Sequence, residues 1–343
     1  MPEIVFVPPR HHYYKLISDR VNAIYRDYSD YVEPASIDES YLDLTGTLDY
    51  YHMTSRQLAD TIRDRVRNEI GITISVGVSF NKIFAKMGSD YKKPDATTVI
   101  TRENYQELLW PLPVSDLLFA GKASVKVLNE KGIHTIGDLA RQPRDQMEQY
   151  LGRGGETLWV YANGLDEDPV RLWGDDPPAK SVSHGMTFRR NLVSDADVHA
   201  GVSALADRVA TSLRRQDMKG SVVTVQIKSP SLNVISRQIS LTNPTWLQHE
   251  IRDTALRLIR ENWHVSESAP VRAITIGVSH LLPAAEATEQ TDLFDLLQEE
   301  KPKAREKQDK LEAAMEAIRR KAGSDSAITL GFQDHSDIGI RKR

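Results

Sequence analysis

The segment Glu33–Gly46 sets two carboxylates side by side, Asp38 and Glu39, among the strand formers Ile37, Tyr41, Leu42 and Leu44. Successive residues of a strand point to opposite faces. Adjacent acids therefore serve one site only if the chain turns there. A tight hairpin or bulge over 36–40, shaped in part by Ser36, would aim both the same way. Hard oxygen ligands grouped in this manner suit Mg2+, which keeps several waters and takes further oxygens from substrate phosphates. The same residues also read as a plain polar turn between two strands, where paired acids are common.

The elements that must position these residues follow from hydrophobic spacing. Leu16, Val21, Ile24, Tyr25 and Tyr28 predict a helix over 14–28, and Leu58, Ile62, Val66 and Ile70 predict another over 54–70 that ends at Gly71. Residues 72–78 read as a strand, 80–91 as a helix and 97–100 as a short strand, a pattern that predicts one sheet covered by helices. Pro111-Leu-Pro113 marks a boundary, after which 114–176 carries almost no strand signal. There Leu117–Lys122 separates two helical patterns, the second over 124–131, and Thr135 is a good N-cap for the next helix. Gly174–Pro178 reads as a linker. Strand-like runs at 182–188, 222–228, 234–240 and 271–279 then alternate with helical runs at 198–215 and 244–263, which predicts two helices on a four-stranded sheet. A further amphipathic helix is expected over 302–322.

The bulk properties narrow the class. A chain of 343 residues, 40% hydrophobic and 27% charged, has room for two or three globular domains. No apolar run approaches membrane-spanning length and no basic-then-apolar leader is apparent, so no membrane insertion or export is expected. The absence of cysteine removes disulfides and thiolate metal sites and fits a cytoplasmic location. The net charge of −4 conceals a division: Lys180–Ala284 holds 13 Lys and Arg against 8 Asp and Glu, a net of +5, while the remainder stands at −9. A basic domain beside an acidic one is a sign of nucleic-acid contact, although such a surplus is also found on ordinary solvated surfaces.

Together with Ser75–Lys93, which contains Asn-Lys-Ile-Phe-Ala-Lys-Met, and Pro94, the Ser-Ile-Asp-Glu segment resembles the Y-family translesion DNA polymerases, bacterial polymerase IV branch. The resemblance runs from about Phe6 to the end of the chain. It implies an α+β multidomain protein: a palm over 1–111, an all-helical thumb with a helix-hairpin-helix over 112–176, a little finger over 177–284, and a clamp-binding peptide with a helix over 285–343. In that family the reaction joins a deoxynucleoside triphosphate to a primer 3′-hydroxyl with two Mg2+ ions. Asp38 and Glu39 are then the metal-binding and catalytic carboxylates, and Lys93, with Lys92 as a substitute, contacts the triphosphate. Gly121 and Lys122 of the hairpin, with Arg189, Arg190, Lys228 and Arg237, would meet the backbone of primer–template DNA. Gln290, Leu293 and Phe294 resemble the peptide that bacterial polymerases insert into the sliding clamp. A monomer is expected.

Three departures accompany the resemblance. Asp95-Ala96 stands where the family often has glycine, and Phe119-Ala120 precede Gly121 where the usual hairpin has a second glycine. The family also begins with a strand carrying another metal-binding aspartate and an aromatic residue that excludes ribonucleotides, followed by the fingers. Here Val5–Pro9 already matches the point after the fingers. The expectation is an N-terminally truncated palm, impaired in catalysis as it stands. Two further readings stay open: a non-catalytic remnant that binds DNA and clamp, and a helix-hairpin-helix binding protein whose acidic pair is structural.

Overall fold

A computed structural model gives the fold and describes residues 4–288, 300–321 and 335–340. The chain forms two compact units, Met1–Pro177 and Pro178–Arg343.

In the first unit, α1 (His11–Arg26) and α3 (Ser55–Ile70) form as their apolar spacing requires, with the short α2 (Leu48–Tyr51) between them. Thr54 caps α3 in a reciprocal box with Gln57, and Gly71 closes it at φ 84°. Val21, Ile24 and Tyr28 pack on Leu58, Ile62 and Val66 in one buried cluster. Strands β1 (Val32–Pro34) and β2 (Ser40–Leu42) close an antiparallel hairpin, while β3 (Val76–Val78) runs parallel to β4 (Thr97–Val99).

The expectation of one sheet is corrected here, because among the described residues these strands form two separate two-stranded sheets. Each strand is three residues long and finds its partner within its own pair. The strand predicted over 72–78 shrinks for the same reason: only Val76–Val78 lies beside β4, and Ile72 is exposed.

Helix α4 (Lys82–Tyr91), capped by Asn81, crosses β3 so closely that a Cβ on Gly77 would stand 1.8 Å from the Ala85 carbonyl oxygen. Only glycine fits there, and the contact fixes the height of α4 above the strand.

Helix α5 (Tyr105–Leu109) and a 3-10 turn (Val114–Asp116) lead to α6 (Lys122–Glu130), α7 (Ile136–Ala140), α8 (Arg144–Leu151) and α9 (Arg153–Ala162). Helix α6 starts two residues before the predicted span, and Thr135 caps α7 in a box with Asp138. The apolar core does not stop at the Pro111–Pro113 turn. Phe84, Met87 and Ile100 share one cluster with Leu109, Val114, Leu128, Ile136, Met147 and Leu158.

The second unit is a four-stranded antiparallel sheet in the order β5 (Ser181–Leu192), β8 (Val271–Pro283), β6 (Met218–Lys228), β7 (Val234–Thr245). Helices α10 (Asp195–Arg215) and α11 (Gln248–Asn262) lie together on one face. Helix α11 begins later than predicted because Pro244 and Thr245 still belong to β7. Val223, Val225 and Ile227 of β6 and Ile274, Ile276 and Val278 of β8 point into the core beneath the helices. The alternate residues form rows on the other face, such as Ser183–Gly277–Thr224–Gln238 and Gly185–Thr275–Gln226–Ser236.

Helix α12 (Glu300–Lys321) docks on the helical layer through Arg305 to Glu250, Trp246 to Asp309, and Arg214 to Glu312. No helix among the described residues is long and apolar enough to cross a membrane. The segment Gln290–Phe294 lies outside the described residues.

Glu312 is the buried centre of the α12 contact. Burial opposes its ionisation, but His249, Gln308, Arg214 and the Gln248 N–H together hold its carboxyl down to about 2. A folded-state value below the ordinary 4.5 means that this stabilisation is complete above pH 4.5 and is lost as pH falls toward 2. Glu312→Gln should therefore lower stability by roughly 3 kcal/mol at neutral pH. Denaturant unfolding of both proteins across this acid range should show the gap closing.

Candidate active site and nucleic-acid surface

The acidic pair sits in the five-residue loop that joins β1 to β2. The Ala35 and Ser36 N–H groups donate to the Glu39 carbonyl at 2.9 and 3.2 Å, which closes the loop. Ser36 Oγ donates to Asp38 Oδ1 at 2.7 Å and accepts from the Asp38 N–H at 3.3 Å. This places Asp38, exposed, at the tip. Glu39 follows, with its Oε1 2.9 Å from Lys86 Nζ on α4.

Lys86 continues the network to Asp90 Oδ2 at 2.8 Å, and Asp90 Oδ1 pairs with Lys93 Nζ at 2.6 Å. Glu39, Lys86, Asp90 and Lys93 thus form one chain of alternating charge that links the acidic turn to the lysine before Pro94. Burial works against the Lys86 ammonium, but Asp90 and Glu39 outweigh it and keep its pKa above the ordinary lysine value. Burial likewise opposes Asp90, whose carboxyl is nevertheless lowered by Lys86 and Lys93. Lys92, the C-cap of α4, stands outside this chain.

The base of the hairpin is held by a buried ion cluster that periodicity does not reveal. Lys82 Nζ lies 2.6 Å from Glu33 Oε2 and 2.7 Å from Asp168 Oδ2. Glu33 also accepts from the Arg171 N–H at 3.0 Å and pairs with its guanidinium at 3.1 Å. Lys82 and Glu33 are both more than nine-tenths buried.

Among the described residues, Asp38 Oδ2 and Glu39 Oε2 carry no hydrogen bond or ion pair, and Lys86 stands at Glu39 Oε1 as a cation would. Two solvent-accessible carboxylates in one turn, Asp38 exposed and Glu39 half-buried, fit a hard divalent ion. No group of three His, Asp or Glu side chains able to hold a metal occurs among the described residues.

The two positions that depart from glycine both take a left-handed backbone, the conformation glycine would supply. Asp95 has φ 54°, and its carboxylate is held by Arg63 at 2.7 Å and by Arg67. Phe119 has φ 69° and is 72% exposed, with its ring 5.9 Å from that of Tyr161. The Gly121 N–H donates to the Phe119 carbonyl at 2.9 Å. At this turn the N–H groups without intrahelical partners are those of the first residues of α6, beginning at exposed Lys122.

The basic residues of the second unit are placed unevenly. Lys228 shares the face of Thr224 and Gln226, away from the helices. Arg237 is opposite Val225 and between Ile235 and Ile239, so it belongs to the helix-covered face, where its Nε donates to Asn262 at 2.8 Å. Arg237 and Lys228 thus lie on opposite faces of the sheet. Arg189 and Arg190 end β5 and contact residues 335–340.

The comparisons agree with this architecture. Residues 1–90 match the impB/mucB/samB family and residues 179–293 its C-terminal domain. The chain belongs to this Y family of DNA polymerases. Its relatives are named DNA polymerase IV: that of Acetivibrio thermocellus is 39% identical over 85% of this chain and 72% of the relative. The Clostridium kluyveri protein is 34% identical over 96% and 81%, and DNA polymerase IV 1 of Bacillus subtilis 31% over 94% and 75%. In fold, the chain resembles a Y-family polymerase chimera built on Dbh, with a TM-score of 0.71 and 23% identity over 82% of this chain and 80% of the other. A Dbh ternary complex gives a TM-score of 0.52 at 22% identity, covering 81% of each chain.

Removing one partner of a buried ion pair leaves an uncompensated charge, whereas removing both is nearly neutral. Lys82→Met should destabilise by about 3 kcal/mol, and Lys82→Met with Glu33→Leu should recover part of that loss, the rest being the Arg171 contacts that Glu33 also holds. Denaturant unfolding of the three proteins measures both.

Proposed function

We propose that this chain elongates a DNA primer opposite a template strand, with Asp38 and Glu39 as the metal-binding and catalytic carboxylates and Lys93 as the triphosphate contact. The observation that carries the reading is the chain of charge from Glu39 through Lys86 and Asp90 to Lys93. It gathers side chains far apart in sequence around one turn.

In the reaction the primer 3′-hydroxyl loses its proton to water, its oxygen bonds to the α-phosphorus, and the bond from that phosphorus to the leaving pyrophosphate breaks. Asp38 and Glu39 would hold Mg2+, which would supply Lewis-acid stabilisation of the charge that develops there. Ser36 fixes the Asp38 carboxylate toward the tip of the turn. Lys86 keeps Glu39 oriented and balances its charge. Lys93 neutralises triphosphate oxygens as a point charge.

Lys122 with the N–H groups opening α6, Arg189, Arg190 and Lys228 supply sequence-neutral, salt-dependent contact to the DNA backbone. Residues 1–111 act as the palm, 112–176 as the thumb and 177–284 as the little finger. Gln290, Leu293 and Phe294 recruit a monomeric, cytoplasmic polymerase to the sliding clamp. A second reading, DNA and clamp binding without turnover, is favoured by one feature: the turn offers only two carboxylates, one of which is already paired with Lys86.

Primer extension with Mg2+ should fall by more than about 100-fold in Asp38→Ala, beyond the ~10–100-fold typical of groups that merely orient a ligand. Equal extension by both proteins rejects the Asp38 assignment. Duplex binding without extension by the unaltered chain selects the second reading. Changing Leu293 and Phe294 together to Ala should abolish capture by the sliding clamp.

A further inference from the structure

Arg190 closes the β5 edge with every N–H of its guanidinium engaged. Nη1 and Nη2 donate to Asp197 Oδ2 and Oδ1 at 2.7 and 2.8 Å, and Nη1 also reaches the Asn191 carbonyl at 3.2 Å. Asp197 is itself fixed at the start of α10 by the Val193 and Ser194 contacts. This fork sets the plane of the guanidinium. The other edge, Nε and Nη2, donates to Asp337 Oδ2 at 3.0 and 2.6 Å.

Asp337 belongs to His335–Ile340, a short segment laid along β5. The Arg189 N–H donates to the Ile338 carbonyl at 3.2 Å, and Arg189 Nη1 to the Ser336 carbonyl at 3.4 Å. Ile338 and Ile340 are buried in the core of the unit. Gly339, at φ 97°, passes so near that a Cβ there would lie 3.2 Å from Arg189 Cγ. The segment is anchored by its isoleucines, while the Asp337 side chain is 56% exposed.

The Nε–Nη2 edge is a second fork of N–H donors, a geometry that suits a carboxylate or a phosphate equally. Arg190 is already locked in plane by Asp197, so that edge is preorganised. The ion at its mouth is solvent-exposed, and exposed pairs are weak. Phosphate and Asp337 therefore compete for one place. We propose that Asp337 is an intramolecular competitor for backbone phosphate at Arg190, exchanged for a phosphate when nucleic acid docks, while residues 338–340 stay anchored. This inference rests on the DNA-binding reading above.

The test uses the full chain and a fluorescently labelled primer–template duplex, with anisotropy titrations over a salt series. Asp337→Asn should bind 3- to 10-fold tighter at low salt, roughly the effect of one more phosphate contact, with a log–log salt slope steeper by about one. Its unfolding midpoint should not change. The gain should vanish in Arg190→Gln with Asp337→Asn and should exceed that of Glu306→Gln, a control that removes one exposed acid of the same unit. Wild-type affinity and slope in Asp337→Asn, a gain that survives without Arg190, a gain matched by Glu306→Gln, or a lowered midpoint that marks a purely structural cap would each overturn the proposal. Absence of duplex binding by every protein overturns the DNA reading and this inference with it.

Discussion

A single ammonium at the start of α4 governs the geometry of the first unit. Lys82 is too deeply buried to hold its charge alone, since an unpaired ion in such a place costs several kcal/mol. It is satisfied only when Glu33 of β1 and Asp168, beyond α9, both reach it. The cluster therefore forms only when hairpin, helix and the post-α9 segment are assembled together. It fixes the hairpin at its root, where Glu33 is opposite Tyr41, and leaves the tip with Asp38 open to water. A rigid root with an accessible tip is what an exchangeable ligand site requires.

Much of this was legible in the sequence where the signal is local. The Leu58–Ile62–Val66 stripe, the Thr54 and Thr135 caps and the alternation of the second unit's strands all reappear as elements. The turn over 36–40 also forms, because adjacent acids between strand formers leave little else for the backbone to do. What was not legible is pairing between distant segments. Nothing in residues 72–75 says that β4 will stop short of them. Lys86 and Asp90 have the spacing of a helical ion pair, yet the reach of Lys86 to Glu39 has no local trace. The helix-side position of Arg237, by contrast, was available from simple alternation between Ile235 and Ile239.

The charge of the second unit shows why counting is a weak guide to a binding surface. Its surplus of basic residues suggests a broadly positive face. In the fold, Arg190, Arg214, Arg215 and Arg252 all meet carboxylates. The sheet face turned away from the helices carries rows of Ser, Thr, Gly and Gln. Its character is that of hydroxyls and amides, with Lys228 at the end of the inner strand β6.

The approach of α4 to β3 at Gly77 has a mechanical consequence. With backbone against backbone and no side chain between, helix and strand have no compressible layer to absorb displacement. They move as one stiff lever. Lys86 reaches from this frame to Glu39 and Asp90 through a four-carbon stem. The charge that faces the acidic loop is thus presented from a stiff helix–strand pair, at the end of the one flexible link between them, the lysine stem.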